Sequence, residues 1–265
     1  MKQLVAFLFF VSLNLFSPQL NYAQATSKVI VPAYFFPYDN ANPGAHNVGP
    51  YWSSLIDAAK FHGNKLIVVA NPNNGPGSGT GWEKQKYAEA INKVRSHGAI
   101  VVGYVYTCYG LTSNSTACNG RTLSHVTNDI TKWKQWFGVD GIFLDEAATD
   151  PNKVGIYQSI DQDIQSQISN ALVISNYGTM PANQYLSRRG VHVIMENTAA
   201  FFDTNHNQLN NPPAGSAALI HTMNDGNWQS RRNALNNKGI KYYFLTGDGG
   251  WNPWDTLPVY FNNLF

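Results

Sequence analysis

The chain has 265 residues, of which 43% are hydrophobic and only 13% charged, with a formal net charge of +2. That length suits one large α/β barrel or two modest domains and is too great for a scaffold held by disulfides alone. The low charged share and the absence of any run of Lys or Arg argue against nucleic acid or an anionic membrane as the main partner.

Lys2 precedes an apolar run from Leu4 to Leu15, broken only by Ser12 and Asn14, and the segment closes on Ala23-Gln24-Ala25. This is the layout of a secretory leader cleaved after Ala25, because a membrane span needs roughly 20 apolar residues and the run is about half that. Residues 26–265 are then expected to form one domain, secreted or periplasmic, with no further span.

Eight short runs rich in Val, Ile and Tyr predict strands, starting at Lys28, Lys65, Ala99, Val139, Ala171, Val191, Ala217 and Ile240. Helical spacing falls between most of them, at 51–62, 82–97, 123–137, 154–168 and 228–237. Gly63, Gly98, Gly138 and Gly239 follow four of these helices, where left-handed stops belong. The helices after the fifth and sixth strands are weak in sequence, and "FFDTNHNQLNNPPAG" from Phe201 reads as a long loop. Runs apolar on both faces, alternating with helices about eight times, predict a closed (β/α)8 TIM barrel rather than an open sheet. Pro32 lacks a ladder donor and is expected at a strand start or a bulge.

Cys108 and Cys118 are the only two cysteines. In an exported chain they are expected to pair and tie down one loop, with two free thiols or half of a metal site as the alternatives. No second Cys or His pair stands at zinc spacing, so no metal or cofactor is expected.

In a barrel of this kind the chemistry sits at the carboxyl ends of the strands. "GIFLDEAATD" from Gly141 ends its apolar run on Asp145 and Glu146, and "VHVIMEN" from Val191 ends on Glu196. Alternation puts Phe143 and Asp145 on the barrel axis, and the same count puts Glu196 inward together with Ile194 and His192. Strands four and six are two apart, so their backbones are roughly 10 Å apart and inward-leaning side chains close part of that gap. Such a pair suits acetal cleavage, where one carboxyl stays protonated to release the leaving oxygen and the other stays ionised to meet positive charge at the anomeric carbon. The competing reading makes Asp145 and Glu146 a helix N-cap and a first-turn acid.

The other strand ends carry polar and aromatic residues, among them Tyr34, Asn71, Tyr104, Asn176, His221, Asp248 and Trp251. Sugar C–H faces stack on aromatic rings and hydroxyls pair with amides and acids, so these are candidate substrate contacts. "NPNNGPGSGTG" from Asn71 is Gly-rich but lacks the Lys-Ser/Thr end of a phosphate loop, and is expected to floor the site instead. Asn114-Ser115-Thr116 is a glycosylation acceptor triplet, relevant only in a host that glycosylates exported proteins.

"VVANPNNGPG", "GYVYTCYG", "DGIFLDE" and "SNYGTMP", in that order and spacing, resemble the spherulin-4-like family of secreted glycoside hydrolases over nearly the whole mature chain. The resemblance implies a (β/α)8 barrel and endo-acting hydrolysis of α-1,4-linked N-acetylgalactosamine or galactosamine exopolysaccharide. It implies Asp145 as nucleophile, Glu196 as general acid/base and Glu146 in support, with retention of configuration. The partner would be the amino-sugar polymer, bound by a monomer; a non-catalytic carbohydrate-binding or coat protein on the same barrel is the alternative. The Cys108–Cys118 segment departs from the family pattern and reads as an insertion over the third strand.

Overall fold

The computed structural model describes residues 27–38, 48–79, 81–111, 118 and 120–265. The expected leader and the Asn114 triplet lie outside the described residues. Eight strands, β1 (Lys28–Ala33), β2 (Leu66–Ala70), β3 (Ile100–Tyr106), β4 (Gly141–Asp145), β5 (Leu172–Asn176), β6 (Val191–Thr198), β7 (Ser216–His221) and β8 (Tyr242–Leu245), close into one parallel barrel in chain order. The expected barrel is therefore present, with β1 paired to both β2 and β8.

The longer helices cover the outer face of the sheet: α1 (Pro50–His62), α2 (Gly81–Ser96), α3 (Leu123–Lys132), α4 (Val154–Gln167), α5 (Asn183–Leu186), α6 (Ala199–Asn205) and α7 (Trp228–Asn237). All five residues of β2, Leu-Ile-Val-Val-Ala, are buried, as a strand covered on both faces requires. The chain after α3 widens into a π-helical turn over Trp133–Phe137, ended by Gly138 in the left-handed region at φ 59°. That turn lays Trp133 on β3, where its indole N–H donates to the Tyr104 carbonyl at 2.7 Å. A Cβ on Gly103 would stand 2.3 Å from the Trp133 ring, so only glycine lets the indole lie flat on the strand. Among the described residues no helix is long and apolar enough to cross a membrane.

Three expectations need correction. Pro32 is the fifth residue of a six-residue strand, opposite Val69, rather than a start or a bulge. β1 meets β8 only at Lys28 and Val29, so on that side the ladder has ended before the proline. The loop expected from Phe201 holds α6 and a 3-10 turn at His206–Leu209; the Thr198 hydroxyl caps α6 by accepting from the Phe201 N–H at 3.2 Å. The third correction is a register shift in β6 between Val193 and Met195. Val193 pairs with Ala217 and Glu196 with Leu219, two residues further along β7. The extra residue puts Glu196 on the face of Val193 and turns His192 to the other side, against expectation. His192 there stacks on Tyr177 and meets the Arg188 carbonyl at 3.2 Å.

Candidate active site

Asp145 ends β4, Asn176 ends β5, and Glu196 lies near the end of β6. The register sets Tyr104 beside Phe143, one turn of the pleat below Asp145. From there the Tyr104 hydroxyl donates to Asp145 Oδ2 at 2.7 Å. Asn176 Nδ2 donates to Asp145 Oδ1 at 2.7 Å and to Glu196 Oε2 at 2.5 Å. Because one nitrogen serves both acids, those two oxygens can be no more than about 5.2 Å apart, the sum of the two bonds. Two acids 51 positions apart thus meet across the barrel mouth, which is the convergence expected from alternation, reached through the β6 bulge.

Electrostatics separates the pair. Burial pushes the Glu196 carboxyl up to about 7, with the neighbouring Asp145 charge adding to the shift and hydrogen bonds from Asn176 and Trp254 opposing it. Burial also raises Asp145, against hydrogen bonds from Tyr104 and Asn176 that favour its charged form. Glu196 is thereby the group poised to carry a proton near neutral pH, while two side-chain donors favour the charged form of Asp145 against its burial.

Glu146 is not a first-turn acid. The helix after β4 starts only at Val154, and Asp150, not Asp145, accepts the Asn152 N–H at 2.9 Å to cap the turn before it. Glu146 instead sits in the left-handed region at φ 48°, an uncommon and strained place for this residue type. Its carbonyl is held by the Tyr109 N–H at 2.7 Å and by the Thr107 hydroxyl at 3.0 Å. The same Thr107 hydroxyl reaches the Asp145 carbonyl at 2.7 Å and the Tyr157 hydroxyl at 2.9 Å. The end of β3 therefore clamps the backbone that aims both acids. Burial and the Asp145 charge raise the Glu146 carboxyl, while a hydrogen bond from Tyr106 opposes them.

A cleft of about 700 Å³ opens beside Glu196. Of the residues expected at the sugar, Tyr34, Asn71, His221 and Trp251 line it. Pro72, Asn73 and Asn74 of the Gly-rich segment floor it, and the Asn71 side chain accepts from the Gly75 N–H at 3.1 Å to shape the turn. Trp251 is fully exposed on the rim. His221 Nδ1 lies 2.8 Å from the Thr222 hydroxyl, and burial lowers its pKa, so the ring enters the cleft neutral. Tyr104 and Asn176 are engaged with the carboxylates as described. Asp248 is turned into its own loop, where its carboxylate accepts from Gly249 N–H at 2.8 Å and Thr256 Oγ1 at 2.7 Å.

Sequence reasoning passed over Trp254, which lines the cleft and donates to Glu196, and Thr107. The density of tryptophan in "GWNPWD" past β8 was a signal for the first; a lone threonine carries none for the second. Cys108 and Cys118 form a disulfide with Cα atoms 5.9 Å apart. Among the described residues no group of three or more His, Cys, Asp and Glu could hold a metal ion.

Residues 28–265 match the family described as Spherulation-specific family 4. Spherulin-4 of Physarum polycephalum is 32% identical over 210 residues, which cover 77% of this chain and 54% of that protein; the chain thus spans about half the length of that relative. The crystal structure of Aspergillus clavatus Sph3 in complex with GalNAc superposes with a TM-score of 0.71, covering 90% of this chain and 96% of that one at 23% identity. Thermotoga maritima Cel5A, solved with cellobiose, gives a TM-score of 0.52 over 86% of this chain and 90% of that one at 10% identity. At these identities both structures share the fold.

Proposed function

The chain belongs to the spherulation-specific family 4, and on that premise we propose that it is a secreted, monomeric, endo-acting glycoside hydrolase cleaving α-1,4-linked N-acetylgalactosamine or galactosamine polymer. The observation that carries the reading is the shared amide: Asn176 Nδ2 bonds Asp145 and Glu196 at once, 2.7 and 2.5 Å away. The resulting limit of about 5.2 Å between these two oxygens falls short of the roughly 6.5–9.5 Å that inversion needs to seat a water and supports the closer spacing, about 5–5.5 Å, of retaining glycosidases. GalNAc in the Sph3 crystal supports an amino-sugar substrate, and the Cys108–Cys118 disulfide supports an oxidising compartment.

In the first step protonated Glu196 gives its proton to the glycosidic oxygen as the C1–O bond breaks, and Asp145 Oδ attacks C1 from the other face. The leaving chain departs with a new hydroxyl, and the sugar stays esterified to Asp145. In the second step Glu196, now a carboxylate, takes a proton from water; the hydroxide adds to C1 and the Asp145–C1 bond breaks, restoring both groups. The Tyr104 and Asn176 donors stabilise Asp145 as leaving group. Glu146, beside the pair, adds negative potential at the developing oxocarbenium ion.

The test is reducing-end release from a panel of purified polysaccharides, including N-acetylgalactosamine polymer, chitin and cellulose. Release from the galactosamine-type polymer above the others supports the reading. Binding to it with no release from any polymer contradicts it and favours a non-catalytic sugar-binding protein, for which the fully exposed Trp251 would serve as platform.

A further inference from the structure

A second cavity, of about 290 Å³, lies on the β3 side and is lined by Asn74, Tyr106, Cys118, Arg121 and His125. Asn74 also lines the main cleft, so the two cavities share a wall. Tyr106 lines the second cavity and donates to Glu146, while Glu196 lines the first. Glu196 thus faces the first cavity, and Glu146 is joined to the wall of the second through Tyr106.

Among the described residues, Asn74, Arg121 and His125 bring N–H donors to this cavity. Thr122 N–H donates to His125 Nδ1 at 3.0 Å, which puts the proton of the neutral ring on Nε2 and leaves Nε2–H on an exposed side chain. Arg121 commits Nε to the Tyr106 carbonyl at 2.5 Å and one terminal nitrogen to Asp129 at 2.6 Å. Its third nitrogen has no hydrogen-bond partner among the described residues. The guanidinium carbon sits 5.6 Å from the Tyr106 ring centre, giving a flat stacked wall beside the disulfide. Among the described residues no carboxylate lines the cavity; of the two nearby, Asp129 is held by Arg121 and Glu146 accepts from the Tyr106 hydroxyl.

A site with a flat face, several N–H donors and no acid suits a neutral sugar carrying an acyl carbonyl. A free ammonium would find no carboxylate in the described lining, since both nearby acids are already engaged, and would meet the Arg121 cation. Resting on the proposed polysaccharide substrate, we infer that this cavity is a distal subsite that takes an N-acylated sugar unit in preference to its free amine. The polymer would then run from Trp251, past the two acids, to Arg121, with its cut inside the chain. The volume, at the low end of the roughly 300–1,000 Å³ of small-molecule sites, fits one ring.

The experiment titrates Asp145→Asn, which cannot form the ester, with long N-acetylated α-1,4-galactosamine oligosaccharides and with the same chains after de-N-acetylation. The titration is repeated with His125→Ala or Asn74→Gly added. Asn74 has φ 48°, which glycine also adopts, so the second change removes the amide without straining the turn. The acetylated chain is expected to bind each double variant about tenfold more weakly, the value of one lost hydrogen bond, while the de-N-acetylated chain changes far less. Equal affinity of the acetylated chain for single and double variants overturns the subsite, and so does an equal loss for both chains. Binding lost in the double variants while the wild type hydrolyses no polymer leaves the subsite standing and removes the hydrolase reading. No binding of either chain to Asp145→Asn removes both.

Discussion

Asp145 and Glu196 hang from the same nitrogen: Asn176 Nδ2 is 2.7 Å from Asp145 Oδ1 and 2.5 Å from Glu196 Oε2. The amide favours the charged form of each acid, opposing the burial that raises both. Asn176→Ala should therefore raise both pKa values. The acidic limb of the kcat/KM profile, set by Asp145, and the basic limb, set by Glu196, should then both move to higher pH, with activity down about 100-fold at the old optimum. An unshifted profile would show that the amide is only a structural tie.

Glu196 makes a stability prediction whose sign is fixed. Its carboxyl is raised to about 7 in the fold, against about 4.3 in an unfolded chain, so the folded state binds the proton more tightly. That contribution is full below about pH 4 and is lost as pH rises through about 7. The loss amounts to roughly 4 kcal/mol, at about 1.36 kcal/mol for each pH unit that separates the folded and unfolded values. Glu196→Gln, always neutral, should lose much less. Denaturant titrations of the two proteins at pH 5 and pH 8 measure it, and parallel losses would contradict the raised carboxyl.

Tyr104→Phe removes the 2.7 Å bond to Asp145 Oδ2 while keeping the edge-on ring contact with Tyr34 at 5.6 Å. Burial of Asp145 then meets less opposition, its pKa rises, and activity should fall about tenfold or more below pH 6 with a smaller loss at pH 7. The rate ratio of variant to wild type against pH reads this directly. A ratio that does not change with pH would refute it.

Gly103→Ala tests how the barrel wall is built. The added Cβ would stand 2.3 Å from the Trp133 ring, which is fully buried and bonded to the Tyr104 carbonyl. A loss of about 2–4 kcal/mol in denaturant stability is expected, since neither strand nor indole can yield cheaply. A loss under about 0.5 kcal/mol would mean that the indole has room to move.

Periodicity made the barrel legible: runs such as Leu66–Ala70, apolar on both faces, can only be covered strands, and Gly138 and Gly239 marked helix ends. The positions of Asp145 and Glu196 were legible for the same reason, as acids ending apolar runs. The way Glu196 reaches the axis was not. Counting by two from His192 gives the right answer for a wrong reason, because the bulge at Val193–Met195 reverses His192 and depends on neighbours that β6 cannot announce by itself. Glu146 is similar: its left-handed φ is imposed by Thr107 and Tyr109, some 40 positions earlier, and no local propensity encodes it. The helix at Ala199–Asn205 was weak in sequence because Asp203, Thr204 and Asn205 break its short apolar start, and its cap, Thr198, is itself the last residue of β6.

The most direct test follows the first-formed anomer and the reducing ends released from N-acetylgalactosamine polymer by wild type, Asp145→Asn and Glu196→Gln. The wild type should give the α-anomer first. Both variants should fall by about 1,000-fold or more. Release undiminished in Asp145→Asn, or the inverted anomer from the wild type, would contradict a double displacement carried by these two acids.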